Sequence, residues 1–147
     1  MIAIGCDHGG FPLKEEICEH LKERGFEFRD FGSYNTEPVD YPDIAVPVCE
    51  AVVKGEADLA ILICGTGIGM SMVANKVKGI RAACCSDTFS AEFTRRHNDA
   101  NVLCMGGRVV GPGLAMEMVD RFLDNDFEGG RHQRRVDKIM ETENLEV

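Results

Sequence analysis

No two cysteines in this sequence stand in a Cys-x-x-Cys spacing, although there are seven of them, at positions 6, 18, 49, 64, 84, 85 and 104. An odd count without that spacing excludes a zinc ribbon and argues against a disulfide framework. It reads as reduced thiols, which places the chain in the cytoplasm. Also missing is any apolar run near the roughly 18–20 residues that a membrane-crossing helix needs. The N-terminus reads as a strand rather than a secretory leader. Positive charge is in deficit, 16 Lys and Arg against 25 Asp and Glu, for a net charge of −9. That balance argues against nucleic acid and anionic membranes as partners. The nucleotide fingerprints are absent too. Gly65-x-Gly67-x-Gly69 is not G-x-G-x-x-G, and no Gly-Lys-Ser/Thr follows it.

What is present is a regular alternation of strand and helix patterns over 147 residues, enough for one domain spanning 1–147. Strands are predicted at Met1–Cys6, Glu27–Asp30, Leu59–Ile63, Ile80–Ala83 and Ala100–Met105. Apolar spacing predicts helices after Pro12 (Leu13, Ile17, Leu21, with Gly25 as the stop), after Tyr41-Pro42, over Gly67–Val77, over Asp87–Arg96 and after Pro112. Pro47 inside the second pattern predicts a helix start nearby or a kink. His97-Asn98-Asp99 reads as a polar turn, and Glu141–Val147 as a fraying acidic tail. The fold class is α/β: a five-stranded parallel, Rossmann-like sheet with helices on both faces, because parallel neighbours need crossover helices. A last basic segment, 129–139, reads as a helix with no strand after it. It either packs back on its own domain or docks on a partner subunit.

In such sheets ligands sit beyond the carboxyl ends of the strands. Those ends carry Asp7 and His8, then Cys64 with Gly65-Thr66-Gly67-Ile68-Gly69, then Ser86 and Asp87, then Gly106-Gly107-Arg108. The glycine loop has three readings: a tight turn, a nucleotide loop, or an anion cradle built from backbone N–H groups at a helix start. Cys64 is either a small buried hydrophobe, as Cys6, Cys84, Cys85 and Cys104 illustrate, or a thiolate favoured by the helix terminus beside it. His8 and His97 are either packing histidines or functional groups in polar turns. Arg131 and Arg135, spaced i,i+4, are either part of a solvated face or a fork suited to phosphate. His97 and Asn98 precede a strand and therefore fall on the edge opposite Cys64. If they act with it, the site is shared between two subunits.

A family resemblance rests on Asp7-His8-x-Gly-x-x-Leu-Lys14, Asp40-Tyr41-Pro42, Cys64-Gly-Thr-Gly-x-Gly69, Ala74-Asn75-Lys76, Gly79-Ile-Arg81, Arg96-His97-Asn98-Asp99 and Gly129-Gly-Arg131-His132-Gln133-x-Arg135. Collinear over roughly 1–140, these motifs resemble the type B ribose-5-phosphate isomerases, a group that also holds galactose- and allose-6-phosphate isomerases. The resemblance implies an α/β/α sandwich that forms a homodimer with shared sites, with pairing into tetramers left open, and no cofactor or metal. It implies that Cys64 moves a proton between carbons 1 and 2 and that His97 assists ring opening. Asp7, His8, Asn98 and the loop Gly65, Thr66, Gly67, Ile68 and Gly69 would hold the sugar, with Arg108, Arg131 and Arg135 near the phosphate. Met70 stands where a second branch of the family carries a glutamate base, which puts this chain in the cysteine branch. The chemistry suits the loop, because an enediolate needs donors already aimed at its oxygen. Losing one such donor costs about 3–4 kcal/mol of barrier. Thr66 Oγ1 is a candidate extra donor. An isomerase for a six-carbon sugar phosphate or free allose, and a non-catalytic phosphosugar- or nucleotide-binding module, are the alternatives.

Overall fold

The computed structural model describes residues 1–146. Five strands form one parallel sheet: β1 (Ile2–Cys6), β2 (Phe28–Asp30), β3 (Leu59–Cys64), β4 (Ala82–Cys84) and β5 (Val102–Gly106). Their spatial order is β2-β1-β3-β5-β4. The six helices are α1 (Phe11–Glu23), α2 (Tyr41–Val53), α3 (Ile68–Ala74), α4 (Thr88–Asn98), α5 (Pro112–Leu123) and α6 (Arg131–Glu141).

Side chains alternate across a strand, so each central strand feeds two cores. Ile2, Ile4, Ile61, Ile63, Leu103 and Met105 point to one face, where they meet α1, α5 and Ala91 of α4. Ala3, Ala60, Leu62, Val102 and Cys104 point to the other, against α2 and α3. The sandwich expected from the alternation is therefore present, with both faces of the sheet covered. Chain direction from β1 to β2 is opposite to that from β1 to β3 in the sheet order, so the switch point lies between β1 and β3.

Several local readings need correction. The second helix does not start near Pro47. It begins at Tyr41 and keeps Pro47 inside, with Pro42 in its first turn. α3 stops at Ala74 rather than Val77. The reason is Asn75, whose side chain leaves the helix and bonds both the N–H and the carbonyl of Ala82, at 2.8 and 2.9 Å. This grip also delays β4, which starts at Ala82 instead of Ile80. His97 and Asn98 are not a turn but the last residues of α4, which Asp99 ends in a left-handed conformation (φ 47°). Part of the acidic tail is folded and tethered. A 3-10 turn spans Thr142–Asn144, and Glu143 Oε1 accepts the Gly79 N–H at 2.7 Å; Val147 lies outside the described residues. α6 buries His132 and Val136 and packs on its own α4.

One polar feature sits inside this core. Lys14 is fully buried on α1, and its Nζ bonds Asp30 at 2.7 and 2.9 Å and the Ser33 carbonyl at 2.6 Å. The bonds anchor the segment that follows β2 and leads to α2. Removing one member of such a pair leaves a charge without its partner, at a cost of about 3–5 kcal/mol. Lys14→Ala is expected to lower unfolding stability by about 3 kcal/mol, read as a fall in the urea midpoint without a change in slope.

Candidate functional site

The switch point is crowded by three loops that leave β1, β3 and β5, and glycine lets their backbones touch. A Cβ on Gly10 would stand 2.5 Å from the Ile63 carbonyl oxygen, and one on Gly107 would stand 2.8 Å from that of Gly9. On Gly106 it would meet the Thr66 Cα at 2.7 Å. Hydrogen bonds lock the contact, with the Gly107 N–H on the Cys64 carbonyl at 2.8 Å and the Arg108 N–H on the Gly65 carbonyl at 3.0 Å.

Cys64, the last residue of β3, is 5% exposed. Its Sγ accepts the N–H of Gly67 at 3.1 Å, which brings the positive end of an amide dipole onto the sulfur. Gly67 can do this because it adopts φ 80°, with Met105 backbone 2.8 Å from where a Cβ would be. α3 is only seven residues long, so the field at Cys64 comes from these first-turn amides rather than from a long helix dipole. The loop is also less open than a free cradle. Its Gly67 N–H is committed to Cys64, and its Ile68 N–H to Thr66 Oγ1 at 3.2 Å. Thr66 Oγ1, accepting there, keeps its own proton to donate. Gly69 supplies a first-turn amide that the helix cannot satisfy.

The other cysteines are unsuited to proton transfer. Burial pushes the thiols of Cys6, Cys49 and Cys85 up to about 12 and that of Cys18 up to about 11. Burial also raises Cys104 well above its ordinary value and Cys84 above its own.

Asp7 is buried, and its Oδ1 accepts the N–H groups of Gly9 and Gly10 at 2.9 and 3.1 Å. His8 Nδ1 accepts the Val39 N–H at 3.3 Å, which leaves the proton of the neutral ring on Nε2 as a donor. The exposed Arg108 lays its guanidinium over Gly65, with Nη1 3.4 Å from the position of a Cβ there. Asp7, His8, Cys64, the glycine loop and Arg108 thus form one cluster.

The remaining candidates form a second cluster elsewhere. α4 returns the chain to the start of β5, so His97 and Asn98 lie at the opposite edge of the sheet. There His97 stacks on His132 with ring centroids 4.0 Å apart and planes 12° apart, and its Nε2 is 3.5 Å from Glu128 Oε2. Arg131 and Arg135 project from the same helix as His132, exposed and, among the described residues, in no ion pair. A groove of about 460 Å³ runs along α4 from Cys84 and Cys85, past Phe89, to His97 and Asn98. Within one chain no contact joins the two clusters among the described residues.

The family profile described as Ribose/Galactose Isomerase matches residues 2–139. The chain belongs to the ribose/galactose isomerase family. Ribose-5-phosphate isomerase B of Escherichia coli is 55% identical over 142 residues, covering 97% of this chain and 95% of the relative. The solved structure of ribose-5-phosphate isomerase B from Clostridium thermocellum is similar at a TM-score of 0.96 and 55% identity, covering 97% of both chains. That of the Mycoplasma genitalium protein, solved with bound ribulose 5-phosphate, gives 0.93 at 48% identity over 99% of this chain and 97% of that one.

Three residues gain importance only in the structure of this family member. Tyr41, the first residue of α2, places its ring against Gly69, 2.9 Å from where a Cβ would lie. Glu128 and His132 join His97. Burial, with His97 and Arg131 next in weight, lowers the pKa of His132. Tyr41 and His132 stand inside the quoted motifs, which was the only signal for them; Glu128 had none. Gly67→Ala forces a left-handed alanine, at about 1–2 kcal/mol, into the Met105 backbone and moves the amide off Cys64. The variant should show a lower melting temperature together with a fall in kcat, measured on the folded fraction.

Proposed function

We propose that this protein interconverts ribose 5-phosphate and ribulose 5-phosphate through an enediolate, with Cys64 as the base. The observation that carries the reading is the Cys64 sulfur held under the Gly67 amide at the switch point of the sheet. Relatives at 55% identity named ribose-5-phosphate isomerase B support the substrate, as does ribulose 5-phosphate bound to one at 48%. The Cys64 thiolate takes the proton from carbon 2 of the open-chain aldose and returns it at carbon 1. The electron pair left behind enters the carbon–carbon double bond as charge builds on the carbonyl oxygen, and the proton of the carbon-2 hydroxyl passes to that oxygen, so that the carbonyl ends on carbon 2. Thr66 Oγ1 and the Gly69 amide are the donors for that oxygen, in a site where preorganised donors carry most of the barrier reduction. His8 Nε2–H and Asp7 hold hydroxyls. His97, half-buried, assists opening of the furanose ring, with Asn98 beside it.

The two clusters are half-sites of one site completed by a second subunit. Each alone lacks what the other holds: a base and loop on one edge, a ring-opening imidazole with the Arg131–Arg135 fork on the other. Arg108 and that fork together bind the phosphate. Exposed apolar side chains support a second copy as partner: Phe89 in the groove along α4 is 68% exposed, and Ile68 and Met72 on α3 are 51% and 64% exposed. Large apolar side chains gathered this way mark an interaction face. A homodimer with two shared sites follows by two-fold symmetry. No helix among the described residues is long and apolar enough to cross a membrane, and reduced thiols fit a cytoplasmic enzyme.

Cys64→Ala should fold normally and lose turnover of ribose 5-phosphate. It should also lose solvent-deuterium incorporation at carbon 2, and full retained exchange would remove Cys64 from the mechanism. Mixing inactive Cys64→Ala and His97→Asn chains should restore part of the activity once subunits exchange. No recovery after exchange is verified by mass spectrometry would place His97 outside the partner's site.

A further inference from the structure

We propose that His97, Glu128 and His132 form a binding site for a borderline transition-metal ion such as Zn²⁺, and that its occupancy inhibits the enzyme. One ligand atom from each residue lies within 4.8 Å of the others. The spacing 97, 128, 132 matches no metal motif; the fold assembles the set from the end of α4, the segment before α6 and the first turn of α6. Two imidazoles and a carboxylate are a zinc donor set with room for a fourth ligand. At metal–ligand distances of about 2.0–2.2 Å, tetrahedral neighbours stand about 3.3–3.6 Å apart, and His97 Nε2 to Glu128 Oε2 is 3.5 Å. His132 starts stacked on His97 with planes 12° apart, so its ring turns for its nitrogen to face the ion.

The surroundings set the character of the site. Arg96 Nη2 stands 3.5 Å from Glu128 Oε1, and Arg131 and Arg135 flank His132 on α6. This positive rim opposes a bare dication and favours one that carries an anion in its fourth position. Binding is therefore reversible and open to chelators, unlike a structural zinc. Nitrogen donors select Zn²⁺, Co²⁺ or Ni²⁺ over Mg²⁺ and Ca²⁺, which prefer an all-oxygen shell. A metal on His97 occupies the lone pair that ring opening uses. The inhibitory half of the proposal thus rests on the role given to His97 above, while the binding half rests on geometry alone.

The test titrates Co²⁺ into the chelator-treated full-length protein and reads visible d–d absorption. The same protein is then assayed with Zn²⁺ and after EDTA. One ion per chain with nitrogen/oxygen-type absorption is expected, with inhibition reversed by EDTA. Glu128→Gln, at an exposed position, should weaken Co²⁺ binding about tenfold or more, and His132→Asn likewise, whereas Cys84→Ser should leave it unchanged. A sulfur-to-metal charge-transfer band would assign the ion to thiols, and undiminished binding in Glu128→Gln would remove the carboxylate from the ligand set; either overturns the site. Absence of stoichiometric binding would overturn it as well. Metal bound at these residues with undiminished turnover would overturn the inhibition and count against ring opening by His97, leaving proton transfer by Cys64 untouched.

Discussion

Everything at the candidate site depends on backbone meeting backbone where β1, β3 and β5 end. Peptide groups at 2.8–3.0 Å, such as Gly107 on Cys64 and Arg108 on Gly65, leave no volume for side chains between the loops. Glycine at 10, 67, 106 and 107 is therefore a steric requirement of the site and not a sign of mobility. The outcome is a sulfur whose direction is fixed by a single amide and whose loop is braced from both sides. Preorganisation of this kind is what lets a weak set of donors act on a developing anion without rearranging first.

That closure has a counterpart on the other side of β1. The buried ammonium of Lys14 ties Asp30 and the Ser33 carbonyl to α1, and the segment it anchors delivers the Val39 amide to His8 and the Tyr41 ring to Gly69. Core and site are thus linked by one charge. The link explains why a polar group sits in a position whose burial would otherwise favour a hydrocarbon.

The second cluster obeys a different constraint. A crossover helix must return to the start of the next strand, so residues at its end cannot reach the sheet's carboxyl edge in the same chain. His97, Asn98 and the arginines of α6 are held there by stacking and by the Glu128 amide on the Arg96 carbonyl at 3.0 Å. Two-fold association is a general way for a small α/β domain to bring such an edge to a partner's strand ends.

The order of strands and helices was legible in the sequence because period-2 and period-3.6 apolar patterns are local. So were the strand-end residues Asp7, His8 and Cys64, and the separation of His97 from them, since both follow from chain direction alone. What the sequence could not show were features made by contacts between distant residues. Asn75 gripping Ala82 ends α3 early and delays β4. The extension of α4 through Asn98 and the tethering of the tail by Glu143 likewise depend on neighbours that only packing supplies. Strand order, the commitment of two loop amides, and the meeting of His97 with Glu128 and His132 were decided by the tertiary structure. Residues 31 and 35 positions apart from His97 reach it through α6 folding back on α4, and no local pattern encodes that distance.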